Sequence, residues 1–105
     1  MIKKLNLRDI KTAKRVIELQ RASYKIEAQL IGFYEIPPLM ETIDSLQACD
    51  EIFYWYYIND VLAGIISFKI IDNVLDIHRV AIHPTFFRMG IAEKLIKFIE
   101  ALKSN

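Results

Sequence analysis

The chain has 105 residues, 53% of them apolar, and its 14 Lys and Arg against 13 Asp and Glu leave a formal net charge of +1. One domain with its own core fits that length, and a charge so near zero gives no electrostatic case for nucleic acid or an anionic membrane as partner. The single cysteine, Cys49, excludes an internal disulfide and fits a reducing cytosol, and the apolar fraction is high enough to leave surface for a partner.

Ile2, Leu5 and Leu7, each with polar neighbours, predict a first strand that ends where Asp9 can cap a helix. A polar strand at Met1 does not read as a secretory signal, and the longest apolar-plus-glycine run, Val61 to Phe68, is too short to cross a bilayer, so the expected location is the cytoplasm. From Ile10 to about Ile31, the positions of Ile10, Ala13, Val16, Ile17, Ile26 and Leu30 follow helical spacing, as one long helix or two short ones with a bend near Ser23-Tyr24. Gly32 stops the pattern. Phe33-Tyr34-Glu35-Ile36-Pro37-Pro38 reads as an aromatic loop, because the prolines lack donors and restrict the residue before them. Leu39, Ile43 and Leu46 then predict a short helix ending near Cys49, whose place there favours a plain buried thiol over a nucleophile.

Glu51 to Ile58 is dominated by Phe53, Tyr54, Trp55, Tyr56 and Tyr57, residue types that favour strands. Asn59-Asp60 turns this strand into Val61 to Ile71, and Asp72-Asn73 turns that one into Val74 to Ile82, which predicts an antiparallel meander. After His83-Pro84 and Arg88-Met89-Gly90, a helix is predicted from about Ile91 to Leu102, with Ile91, Leu95, Ile99 and Leu102 on its apolar face. The order is β-α-α-β-β-β-α, an α/β (α+β) domain. A strand that turns through small residues directly into a helix offers unpaired N–H groups and the positive end of the helix dipole to an anion.

The wording of that turn is more specific. Leu75-Asp76-Ile77-His78-Arg79-Val80-Ala81-Ile82-His83-Pro84, followed by Arg88-Met89-Gly90-Ile91-Ala92 and Leu95-Ile96, resembles the acetyl-CoA-binding core of the GCN5-related N-acetyltransferases. The family pattern is Gln/Arg-x-x-Gly-x-Gly/Ala; Gly90 and Ala92 occupy the small positions, and Phe87 stands where the family has Gln or Arg. The resemblance implies an acyl-CoA N-acyltransferase-like fold with a mixed, mostly antiparallel sheet flanked by helices, and acetyl-CoA as co-substrate without a metal. It implies acetyl transfer to a primary amine of a small molecule or peptide by direct attack. Val80, Ala81 and Ile82 would hold the pantetheine arm through strand backbone, and Arg88, Met89, Gly90, Ile91 and Ala92 the pyrophosphate.

Asp76 stands where several members carry a strand carboxylate as general base; the plain alternative is a solvated or paired carboxylate. His78 is a second base candidate and also reads as an ordinary packed strand histidine, while His83 reads as a turn residue. Tyr34 and Glu35 fall in the loop that flanks the acceptor groove in the family. Glu93, in the first helical turn, competes electrostatically with a bound phosphate. The resemblance also implies a further strand, helix and hairpin after this helix, which the 105 residues do not contain, leaving the Val74 to Ile82 edge uncovered; a homodimer on that edge is expected. Two other readings stay open: a catalytically inactive acetyltransferase-like domain that dimerises or binds protein, and an unrelated small α/β binding domain.

Overall fold

A computed structural model describes residues 1–32 and 37–104 of the chain. Its elements are β1 (Ile2–Lys4), α1 (Ile10–Ile31), α2 (Pro37–Met40), α3 (Ile43–Ala48), β2 (Ile52–Ile58), β3 (Val61–Ile71), β4 (Val74–Ile82), a 3-10 turn (Pro84–Phe86) and α4 (Ile91–Ser104). The four strands pair in the order β1-β2-β3-β4, each pairing antiparallel, so β4 is an edge among the described residues.

Both hairpins close as their residues require. Asn59 and Asp60, then Asp72 and Asn73, all take positive φ, the double left-handed geometry whose twist matches flanking strands and which Asn and Asp tolerate best. β1 is shorter than the alternation of Ile2, Leu5 and Leu7 suggests. The chain leaves the sheet after Lys4 and turns where Asp9 N–H bonds the Asn6 carbonyl, while Leu5 and Leu7 pack into the core as loop residues. Asp9 then caps α1, its carboxylate accepting from the Lys11 N–H.

α1 is a single helix, and Gly32 ends it in the left-handed conformation. Its buried positions are Ala13, Val16, Ile17, Leu19, Gln20 and Ala28, whereas Ile26 and Leu30, assigned to its apolar face by spacing alone, are exposed. Where one short helix was expected from Leu39 to Cys49 there are two. Proline is well suited to open a helix, where its missing N–H has no intrahelical partner, so α2 begins at Pro37. α3 begins afresh behind a reciprocal Thr42–Ser45 capping box, and Cys49 is its C-terminal cap.

The sheet separates two cores. On one face α1 and α3 bury Ala13, Val16, Leu46, Phe53, Trp55 and Ile65; on the other α4 buries Ile91, Leu95 and Ile99 against Tyr56, Ala63, Ile66 and Phe68. Leu102, expected on that face, is exposed. Gly64 sets how closely β4 and α4 approach: a Cβ there would lie 2.7 Å from Ile82 Cδ1 and 3.1 Å from Ile91 Cγ2. Among the described residues no helix is long and apolar enough to cross a membrane.

Candidate active site

The free edge of β4 and the turn beyond it form one continuous surface. Along an antiparallel strand, alternate residues direct N–H and C=O to opposite sides. His83 donates its N–H to the Ala63 carbonyl of β3 at 2.9 Å, and Ala81 pairs opposite Ile65, so Ala81 and His83 address β3 and Val80 and Ile82 address the open side. The Val80 carbonyl accordingly accepts from a partner outside the sheet, the Tyr24 hydroxyl of α1, at 3.1 Å. Burial, and then the charge of Glu27, push the Tyr24 hydroxyl pKa up, so it stays a donor there.

Past Ile82 the His83 side chain accepts from the Thr85 N–H at 3.2 Å, the turn role expected of it. The chain then reverses through Arg88 (φ 67°) and Gly90 (φ 73°) into α4. Gly90 has no side chain with which to cap the helix, so the first N–H groups of α4 remain available beside the dipole's positive end. A cavity of about 320 Å³ opens at this turn, lined by Ile82, Phe86, Phe87, Arg88, Gly90, Ile91 and Ala92. A Cβ built on Gly90 points into open space.

Five of the sequence-predicted cofactor residues, Ile82, Arg88, Gly90, Ile91 and Ala92, therefore share one cavity, and Val80 presents its backbone to the same edge. Two stand apart. Ala81 is buried in the α1-side core with its backbone turned to β3, and Met89 is exposed outside the cavity lining. Glu93 lies in the first turn of α4 as expected, but Lys97 pairs with it at 2.7 Å and holds its carboxyl below the usual range. Tyr34 and Glu35 lie outside the described residues.

Asp76 sits further up β4, opposite Lys69. Pairing there jumps from Ser67–Arg79 to Phe68–Ile77, so His78 is the extra residue of a bulge, and the re-aimed imidazole places Nε2 3.1 Å from the Asp76 carboxylate. Its Nδ1 is 3.9 Å from Glu51. The bulge thus brings both base candidates together.

Beside them lies a polar cluster that periodicity did not disclose. The Arg79 guanidinium reaches both oxygens of Glu41 and both of Glu51, donates to Gln20 Oε1 at 2.9 Å, and lies over the Phe53 ring. Ser67 donates to Glu51 at 2.6 Å. Burial acts against the charges of Glu51 and Arg79. For Glu51 the bonds from Arg79 and Ser67 outweigh it and hold the carboxyl below its ordinary range; for Arg79 the two carboxylates outweigh it and hold the proton more firmly than usual. An arginine inside an apolar strand and a glutamine at a core position of α1 were the only traces of this cluster in the sequence.

The family and the fold are matched by known proteins. A family model described as Acetyltransferase (GNAT) family matches residues 13–104. The UPF0157 protein YqkA of Bacillus subtilis (strain 168) is 35% identical over 99 residues, which are 94% of this chain and 29% of that protein, so the chain spans less than a third of that relative. PaiA N-acetyltransferase from Thermoplasma acidophilum, in complex with coenzyme A, superposes with a TM-score of 0.77 at 22% identity over 99% of this chain and 71% of its own. A GNAT family acetyltransferase from Brucella melitensis in complex with acetyl-CoA gives 0.71 at 19% identity, covering 99% and 68%. The ribosomal-protein-S18-alanine N-acetyltransferase of Escherichia coli gives 0.72 at 10% identity, covering 98% and 58%. At these identities the likeness is one of fold.

Proposed function

This chain belongs to the GNAT acetyltransferase family, and from that premise we propose that it binds acetyl-CoA along the open edge of β4 and transfers the acetyl group to a primary amine of a small molecule or peptide by direct attack. One observation carries the reading. The outward backbone of Val80 and Ile82 runs without a break into the cavity at the uncapped start of α4, so an extended amide-bearing arm and a diphosphate would each meet the groups that suit them.

In this reading the N–H groups of the turn and α4 hold the pyrophosphate, with Arg88 adding charge where the family has a polar residue at position 87. The Val80 N–H donates to the thioester carbonyl oxygen, fixing its position, and stabilises the oxyanion that forms when the amine nitrogen attacks. The attacking amine must be neutral. Asp76, directly or through a water, takes its proton, with His78 in contact to share the charge. The C–N bond forms, the C–S bond breaks, and the CoA sulfur leaves as a thiolate that water protonates. Tyr34 and Glu35 are proposed to border the acceptor.

A second reading has its own support. Ile70, Ile71, Val74 and Ile77, near the hairpin that joins β3 to the edge strand β4, are exposed, a surface suited to a second copy of the chain; the domain would then act as a dimerising or protein-binding module without turnover. Calorimetric titration of acetyl-CoA, with molar mass by light scattering in the same sample, separates the two. Saturable binding that Gly90→Glu abolishes through bulk and charge supports the enzyme; unchanged affinity in that variant overturns the site. A dimer that binds no acetyl-CoA supports the module, and a monomer at high concentration refutes the edge interface.

A further inference from the structure

We propose that the chain carries a second ligand site, for a small phosphate-bearing molecule, in the cavity between β1, β2 and the first turns of α1. This cavity has a volume of about 310 Å³, at the small end of the range of roughly 300–1,000 Å³ for small-molecule sites. Its wall includes Lys3, Arg15, Trp55, Val16 and Leu62. Trp55 is on β2, two strand spacings or roughly 10 Å from β4, so this cavity is separate from the turn at Gly90.

The charge arrangement calls for an anion. Lys3 Nζ stands 5.2 Å from the centre of the Trp55 ring and Arg15 Cζ 4.9 Å from it, so two cations are gathered over one indole. Among the described residues no carboxylate lies within ion-pair distance of either. Arg15 gives one N–H to the Asp60 backbone carbonyl at 3.1 Å and keeps other donors free. The N-cap carboxylate of α1, Asp9, is engaged in capping the helix and in accepting from Thr12 at 2.9 Å, and Glu18, one turn beyond Arg15, is not part of this cavity's wall.

The wall is short of acceptors as well as of negative charge. Asn6 Oδ1 already accepts from the Arg8 N–H, which leaves its amide as a donor. Trp55 is 8% exposed, and its indole N–H is the buried side-chain donor left without a partner among the described residues. Two gathered cations match the charge of a phosphate monoester, between one and two negative charges near neutral pH. The volume exceeds that of phosphate alone and leaves room for a compact organic body against Val16 and Leu62.

Trp55 is also the only tryptophan of the chain, which makes it the reporter. Glycerol 3-phosphate is titrated at constant ionic strength while Trp55 emission and heat of binding are recorded, with glycerol as the uncharged control. A saturable response to the phosphate ester and none to glycerol is expected. Lys3→Gln, on an exposed strand position, and Arg15→Gln should each weaken it about tenfold, the loss of one charge-assisted contact, while Gly90→Glu leaves it unchanged. A flat response by both readouts, an unchanged midpoint in Lys3→Gln, or an equal loss in Gly90→Glu overturns the proposal.

Discussion

Replacing Arg79 by methionine keeps most of the length of the side chain and removes only the guanidinium, which leaves Glu41 and Glu51 facing one another without a cation. The side chains of Arg79, Glu41 and Glu51 are 17%, 13% and 11% exposed, so water replaces little of what is lost. Removing one partner from a buried ion pair costs about 3–5 kcal/mol, and the residual exposure brings the expectation here to about 2–4 kcal/mol. Gln20 also loses the donor to its Oε1, and Phe53 the cation over its ring. At about 4 °C or more for each kcal/mol in a domain of this size, the melting temperature should fall by roughly 10 °C.

The pH dependence tests the cause. The folded Glu51 carboxyl titrates below its ordinary value, so its contribution is present above the unfolded value near 4.5 and is lost as pH falls through the folded one. In Arg79→Met the guanidinium no longer opposes burial at Glu51, which leaves only the Ser67 bond and the nearby His78 to hold the carboxyl down. The folded pKa then rises toward the unfolded one, so less stability is lost from that group on acidification. Urea denaturation at pH 7, 5 and 4 should therefore show the deficit of the variant shrinking as pH falls. Adding Glu41→Gln and Glu51→Gln to the variant should recover much of the loss at pH 7. A deficit below about 0.5 kcal/mol, or one constant across pH, would refute the assignment of the cluster as a charge-paired support.

Gly64→Ala should cost about 1–3 kcal/mol by overpacking, and because Ile82 and Ile91 are the side chains displaced, acetyl-CoA affinity measured by calorimetry should fall in the same variant. Arg88→Gly relieves a left-handed φ of 67° and should raise stability by about 0.5–1 kcal/mol in urea; the cofactor should bind more weakly and with less salt dependence if Arg88 supplies charge to the phosphates. Tyr24→Phe removes the donor to the Val80 carbonyl and should cost about 0.5–1.5 kcal/mol, with faster amide exchange along the open side of β4 as the local readout.

The periodic elements were legible because each is specified within its own few residues. Asn59-Asp60 and Asp72-Asn73 carry the φ values their hairpins need, and α4 shows its buried stripe at Ile91, Leu95 and Ile99 without reference to anything else. Misassignments arose where a distant contact decides. Ile26 and Leu30 continue the spacing of Val16, yet nothing described packs over them, and only the fold reveals that. Leu5 and Leu7 satisfy a strand pattern but are half-buried against the core from a turn. The open side of Val80 and Ile82 followed from strand alternation, whereas the Arg79 cluster joins residues up to 59 positions apart and leaves no period to read.

That division bears on how the site holds its shape. The turn at Gly90 is local, but an edge strand unpaired on one side would be the softest part of a small sheet. Here the residues flanking its outward positions are fixed from both faces. Arg79, next to Val80, is anchored to α1 through Gln20 and to the segments bearing Glu41 and Glu51; the Val80 carbonyl is tied to α1 by Tyr24; and Ile82 is packed onto Gly64 from the α4 side. These contacts restrain the stretch of backbone that carries the outward N–H groups. Substitutions at Arg79, Tyr24 and Gly64, none of which offers a group to the open edge, should therefore weaken binding there in proportion to how far each loosens β4, and a variant that loosened β4 yet bound acetyl-CoA unchanged would show that the turn alone carries the affinity.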